Sequence, residues 1–385
     1  MLTSADIRPF RIEVAQSELD DLRARLSHAR LPDAIVRDWS DGTDTAYMRE
    51  LLAYWRDAFD WRAQEARLNA FPHFKVRVAG RDVHVLHARG SGAARLPLIL
   101  SHGWPGSFVE MLDIVPRLTH PERFGGDPRD AFDVVVPSLP GYGFSERPSV
   151  PGTTAGVIAD LWAELMTTLG YERFGAQGGD WGSAISTHLG IEHARRIVGV
   201  HLNYMFRAFL PSRRSLGTNA HPDETAYFDD VARWYAAEGG YSHLQGTKPQ
   251  TLAFALGDSP AGLAAYIVEK FRTWSDCGGS VESVFSKDTL LTNVAIYWFT
   301  ATIGSSMHLY WERERASMRP PSVPPAVPFA LAAFPRELST PPRRLVERVF
   351  RVDRYTPMPR GGHFAALEQP EMLASDIAAF FRPLR

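Results

Sequence analysis

Phe174-Gly175-Ala176-Gln177-Gly178-Gly179-Asp180-Trp181-Gly182-Ser183 is the stretch on which the fold turns. Phe174 to Gln177 is a short strand-like run, and Ser183 to His193 is helix-like. The five residues between them read small-x-acid-x-small. Glycines at Gly178, Gly179 and Gly182 allow a sharp turn and a close approach of neighbouring backbone. The acid, Asp180, stands at the apex.

A tight strand-to-helix turn of this pattern is the nucleophile elbow of α/β-hydrolases. The usual elbow carries serine, which needs a base before it can attack. A carboxylate, with an ordinary pKa of about 3.9, is already ionised at neutral pH. An aspartate can displace a leaving group at saturated carbon and form an alkyl ester. Epoxide opening and carbon–halogen cleavage fit that chemistry; peptide and lipid hydrolysis do not. No G-x-S-x-G elsewhere restores a serine reading.

Outward from the elbow, strands and helices alternate. Leu96 to Ser101, Phe132 to Pro137 and Ile197 to Leu202 read as buried strands, and residues 154 to 169 as an amphipathic helix. Phe74 to Val78 and Val83 to His87 read as a hairpin around Gly80. The expected fold is a mostly parallel sheet with helices on both faces. Four segments are expected. Residues 1–75 form an N-terminal accessory helical segment, whose Trp39, Trp55 and Trp61 should anchor it to the main domain. Residues 76–205 form the first part of the core. Residues 206–318, helical and aromatic, form a cap. Residues 319–385 complete the core, with a strand from Val327 to Phe334, a short helix or strand edge from Leu345 to Arg351, a last strand from Asp353 to Pro357 and a closing helix over 370–382.

The 385 residues are 45% hydrophobic, enough to bury a sizeable core. A formal net charge of -2 gives no nucleic-acid footprint. The single cysteine, Cys277, excludes a disulfide framework and fits a reducing, cytoplasmic setting. No signal peptide or membrane anchor is expected from Met1 to Glu13, and no run elsewhere approaches 18 apolar residues. A soluble protein follows, with homo-oligomerisation left open.

An alkyl ester must be hydrolysed, which needs a base to activate water. His363, in Gly361-Gly362-His363-Phe364, follows the last strand, where the histidine of this fold belongs. Glu337, just past the strand Val327 to Phe334, is the acid expected to orient it, with Asp353 and Glu347 as fallbacks. The alternative for Glu337 is a surface salt bridge with Arg336 or Arg343. The oxyanion donors expected are the backbone N–H groups of Trp181 and Trp104. His102 is read as structural, through its backbone, and Trp104-Pro105 as a candidate cis peptide. Phe144 and Trp181 are expected to line an apolar substrate pocket.

Four motifs make the pattern specific: HGWPGS (His102 to Ser107), PGYGFS (Pro140 to Ser145), GGDWGS (Gly178 to Ser183) and RGGHFAALEQPE (Arg360 to Glu371). Together with Tyr54-Trp55-Arg56, Asp60-Trp61-Arg62 and Gly240-Tyr241, they give nearly the whole chain a resemblance to the microsomal-type epoxide hydrolases. The resemblance implies that Asp180 attacks an oxirane carbon while two cap tyrosines, at the matching positions Tyr241 and Tyr310, protonate the ring oxygen. His363 with Glu337 then activates water and a diol leaves, with no metal or organic cofactor. Membrane-bound members carry an N-terminal anchor not expected here, so their cellular setting is not carried over. Haloalkane or haloacid dehalogenase is the nearest rival, since it can use the same elbow with Trp181 holding halide; the two tyrosines favour the epoxide. A non-catalytic binding protein would have no need of the whole set Asp180, His363, Glu337, Tyr241 and Tyr310.

Overall fold

The computed structural model describes residues 6–93, 95–316 and 318–385. Nine strands form one sheet: β1 (Ile7–Phe10), β2 (His73–Val78), β3 (Arg81–Ala88), β4 (Leu96–Ser101), β5 (Phe132–Pro137), β6 (Phe174–Gly178), β7 (Ile197–Leu202), β8 (Pro328–Ala333) and β9 (Arg351–Pro357). Their order is β1-β2-β3-β5-β4-β6-β7-β8-β9. The first three strands and the β3–β5 pair are antiparallel; from β5 to β9 the sheet is parallel. This is the α/β-hydrolase fold.

Every residue of β5, β7 and β8 is buried, as expected of parallel strands covered on both faces. The helices Ala155–Thr168 and Asp180–Glu192 pack together on one face, and Val115–Thr119 packs with Pro370–Phe381 on the other. The chain runs from β4 to its neighbour β5, then crosses back to β6 on the far side of β4. That reversal opens a crevice at the carboxyl ends of β4 and β6, where ligands bind in sheets of this kind. Ser101 and Gly178 are register partners at that end, so the loops that follow them start side by side.

Between β7 and β8 the described residues contain helices and no strand, from Pro222–Glu238 to Ile303–Arg313. This helical cap lies over the crevice. No single helix among the described residues is long and apolar enough to cross a membrane.

Three expectations need correction. Residues 1–75 are not purely helical, because β1 joins the sheet edge beside β2. Four residues including Pro9 carry little strand signal of their own; long-range pairing makes this strand, and an edge tolerates proline. The elbow helix begins at Asp180 itself, not at Ser183. Two of the three tryptophan anchors engage the cap: Trp61 packs edge-on against Phe299 with centroids 4.9 Å apart, and the Arg272 guanidinium lies 4.7 Å from the Trp39 ring, while Trp55 is buried. The ambiguous stretch after Leu345 resolves as a short helix, Arg343–Glu347.

Candidate active site

Asp180 has φ 44°, a left-handed conformation that is costly for a residue with a side chain. The turn is this tight because β6 and the helix after it nearly touch. A Cβ on Gly178 would lie 2.2 Å from the Gly182 carbonyl, and one on Gly182 would lie 1.9 Å from the Ser101 carbonyl oxygen at the end of β4, so only glycine fits at either. The turn lifts the carboxylate above the sheet at a helix N-terminus, where the peptide dipoles favour a negative charge. The Trp104 N–H donates to Asp180 Oδ1 at 2.8 Å. Gly103 permits that approach, since a Cβ there would sit 2.2 Å from the same oxygen. The Trp181 N–H opens the same helix ahead of its first internal bond, from Ser183 N–H to Gly179 O.

The HGWPGS loop is pinned from the cap side. Asn293 donates to Pro105 O at 2.8 Å, and the Tyr297 hydroxyl donates to Gly106 O at 2.6 Å. The Trp104-Pro105 peptide is cis. His102 is buried and ties two loops together through its ring: Nε2 accepts from the Leu139 N–H at 3.2 Å, and Nδ1 lies 3.1 Å from Gly103 O. Its structural part is thus carried by the imidazole as well as the backbone.

His363 lies across the carboxylate. Its Nε2 is 3.4 Å from Asp180 Oδ2, and its Nδ1 is 2.6 Å from Glu337 Oε1. All three residues are buried or nearly so, with side-chain exposures of 3%, 12% and 1% for His363, Asp180 and Glu337. A short parallel bridge between Arg336 and Gly362, just beyond β8 and β9, aligns the two loops that carry the pair. Neither arginine weighed against Glu337 binds it: Arg336 faces Asp276 and Arg343 pairs with Glu347. Asp353 is held by Arg351 at the surface, so both fallback acids are engaged away from His363. Burial alone lowers the His363 pKa, but the Glu337 and Asp180 carboxylates outweigh it and hold the imidazole well above the ordinary histidine range.

The cap closes the site with aromatic rings. The Tyr241 ring stacks on Trp104 with centroids 5.4 Å apart, and Tyr310 meets Trp181 edge-on at 4.9 Å. The two tyrosine rings are 5.7 Å apart. Burial raises both phenol pKa values well above 10, with the Asp180 charge adding to the rise and Arg313 opposing it. Both hydroxyls therefore keep their protons at neutral pH. Tyr142 and Tyr297, close by, spend their hydroxyls on the Ser306 and Gly106 carbonyls. The indole N–H groups of Trp104, Trp181 and Trp274 are buried without a partner among the described residues.

Phe144 is not in this site. Its ring packs 5.3 Å from both Phe10 and His84, beneath β1 and β3. The preceding turn, with positive φ at Gly141 and Gly143, sends Phe144 toward the sheet edge and Tyr142 inward. Four neighbours went unassigned in the sequence. Trp274 meets the His363 ring at 5.2 Å, and its carbonyl accepts the His363 N–H at 2.9 Å. Tyr204 packs edge-on to His363 at 5.8 Å. Glu368 accepts N–H bonds from Gly362, Phe364 and Asp276 at 2.8 to 3.0 Å, and so shapes the histidine loop. Glu110 lines the cavity shared by Asp180 and His363. Only Glu368 had a visible signal, its place in the quoted RGGHFAALEQPE motif.

Comparison with known proteins agrees with this architecture. Residues 7–111 match the family described as the epoxide hydrolase N terminus, and residues 97–237 match the α/β-hydrolase fold. A putative epoxide hydrolase of Stigmatella aurantiaca is 43% identical over 98% of this chain and 86% of its own length. Epoxide hydrolase 1 of Sus scrofa is 40% identical over 97% of this chain and 88% of its own. The crystal structure of juvenile hormone epoxide hydrolase from the silkworm Bombyx mori superposes with a TM-score of 0.87 at 29% identity, covering 98% of this chain and 95% of that one. The Aspergillus niger epoxide hydrolase gives 0.85 at 29% identity, covering 98% and 96%. An aspartate elbow under a tyrosine-bearing cap and these full-length relatives lead to one conclusion: the chain belongs to the epoxide hydrolase family of the α/β-hydrolases.

Proposed function

We propose that this epoxide hydrolase opens an apolar epoxide with Asp180 as nucleophile, Tyr241 and Tyr310 as acids at oxygen, and His363 with Glu337 as the water-activating pair. Residues 206–318 act as the cap that carries the two tyrosines. The observation that carries the reading is the position of Asp180. One carboxylate oxygen is held on the Trp104 N–H, while the other faces His363 Nε2 at 3.4 Å beneath the cap.

In the first step Asp180 Oδ2 attacks an oxirane carbon. A C–O ester bond forms as the ring C–O bond breaks, and the departing oxygen takes a proton from a tyrosine hydroxyl. Neutral phenols suit that task because burial keeps them protonated. In the second step water adds to the ester carbonyl carbon and gives its proton to His363 Nε2. The negative charge develops on Oδ1, where the Trp104 and Trp181 N–H groups stabilise it. Collapse breaks the ester C–O bond; the departing oxygen takes the proton from His363, the carboxyl proton returns to the tyrosine oxygen, and the diol leaves with the carboxylate restored. The free Asp180 charge helps to raise the His363 pKa. Esterification removes that charge and lowers the proton affinity of the imidazole, just when it must serve as a base.

The walls contributed by Trp104, Trp181 and Trp274 fit an apolar substrate. The unpartnered Trp181 indole N–H would also suit a halide. Two neutral phenols above the nucleophile favour oxygen as the leaving atom, because a halide needs no proton. The test is Asp180→Ala: diol formation from an epoxide panel should drop to background. Retained turnover would remove Asp180 from the mechanism.

A further inference from the structure

Glu110 sits on the 3-10 turn Phe108–Met111, directly after the HGWPGS loop. That turn packs against the short helix Ala365–Glu368, which follows His363. Its carboxyl folds back over Gly106, where a Cβ would fall 1.4 Å from Glu110 Oε1. The absence of a side chain at Gly106 is what admits the carboxyl. Glu110 shares one small cavity with Ser101, Trp104, Asp180 and His363. That cavity leaves about 10 Å³ open to the centre of a water-sized sphere, close to the space one water needs. Among the described residues the Ser107 N–H and the His363 ring favour the charged form of this carboxyl, and no lysine or arginine pairs with it. The charged or titratable groups that act on it are Asp180 and His363, and Tyr297 lies within its field. Glu110 is half-buried as a residue with its carboxyl turned inward, and no salt bridge to lysine or arginine accounts for that placement.

We propose that Glu110 positions the hydrolytic water: its carboxyl and His363 Nε2 bracket one water molecule in this cavity and aim the oxygen at the ester carbon of Asp180. This rests on the ester mechanism above and adds to it a residue assigned no role there. The water's attacking lone pair forms the new O–C bond. One proton goes to His363 Nε2, and the other stays in a hydrogen bond to a Glu110 oxygen. Glu110 exchanges no proton overall. Burial pushes its pKa up to about 8, against the opposing influence of His363, so this carboxyl holds a proton far more readily than an ordinary glutamate. An uncharged group can orient water without competing with His363 for the proton. A glutamine, of the same shape and also uncharged, should therefore replace it.

The experiment is a rapid-quench single turnover of wild type, Glu110→Gln and Glu110→Leu with styrene oxide, followed by intact-protein mass. Formation and decay of the +epoxide adduct are read separately. Glu110→Leu should form the adduct within about twofold of the wild-type rate and lose it about ten- to a hundredfold more slowly, the scale of a misplaced reactant. Glu110→Gln should lose it within about threefold of wild type. Wild-type decay in Glu110→Leu would overturn the proposal. So would equal slowing of both steps, which marks general damage, or Glu110→Gln as slow as Glu110→Leu. A wild-type enzyme that makes diol but never acquires the adduct overturns the ester mechanism itself, a different failure from the loss of Glu110.

Discussion

Asp180 stands where backbone strain, a helix N-terminus and a neighbouring N–H meet, and each bears on the same carboxylate. Gly103 lies directly against that carboxylate. A methyl group there would sit 2.2 Å from Asp180 Oδ1, so Gly103→Ala must displace either the loop or the carboxylate. An ångström of displacement at a reacting centre costs about a hundredfold. Gly103→Ala should slow adduct formation by about that factor while melting near the wild-type temperature, as checked by single turnover and calorimetry. Glu337 makes a separate prediction. Its charge raises the His363 pKa, and the base works only when neutral, so the acid side of the hydrolytic pH profile tracks that pKa. Glu337→Gln removes the charge and lowers the pKa. The acid limb of adduct decay should therefore move to lower pH, although the plateau rate falls because the imidazole loses its orienting partner. An acid limb that stays in place would show that another group titrates there.

The histidine loop depends on a residue that does no chemistry. Glu368 gathers three backbone N–H groups, two on Oε2 and one on Oε1. Burial nevertheless pushes its pKa up to about 7. Glu368→Gln would set an amide NH₂ against at least one of those donors, an unsatisfied polar contact worth about 1–3 kcal/mol. Calorimetry should show a lower melting temperature, and adduct decay should slow more than adduct formation because the loop carries His363. Elements like this loop differ in how well their sequences announce them. The buried strands were legible because parallel strands are near-continuous apolar runs, and the bounds of β4, β5 and β7 agree with the expected runs. The elbow and the histidine loop stood out through their flanking glycines. β1 did not, since its identity lies in pairing with β2 some 66 residues away. Glu110 and Phe144 sit in irregular turns, where no periodicity reports the direction of a side chain. Tyr241 and Tyr310 could be singled out only by resemblance, because a lone tyrosine in a cap helix is indistinguishable from core.

At the scale of the whole molecule, the N-terminal segment joins the sheet to the cap. β1 extends the sheet, while the helices that follow it bind cap helices. Arg25 reaches Asp258 at 2.9 Å, the Tyr54 hydroxyl donates to Asp288 at 2.8 Å, and Thr43 donates to Ala265 O at 3.0 Å. Trp61 is buried with its ring edge-on against Phe299 of the cap. Trp61→Ala should cost about 3–5 kcal/mol of stability. Because the cap carries both tyrosines, that variant should lose rate in adduct formation before it loses rate in adduct decay. Equal losses in both steps would mean that the segment supports the fold without steadying the cap. The same arrangement explains why the accessory segment was hard to place: its apolar spacing marks a packed face but not the partner it packs on.

On the proposed mechanism a covalent ester forms on Asp180, and its hydrolysis needs His363. The most direct test is the intact mass of His363→Gln after exposure to epoxides and haloalkanes, with peptide mapping of any adduct. A stable gain equal to a whole epoxide, located on Asp180, is the predicted result. A gain equal to an alkyl group without its halogen, with no epoxide adduct, would contradict it in favour of dehalogenation. Absence of any adduct in a variant whose wild type makes diol would contradict the covalent mechanism.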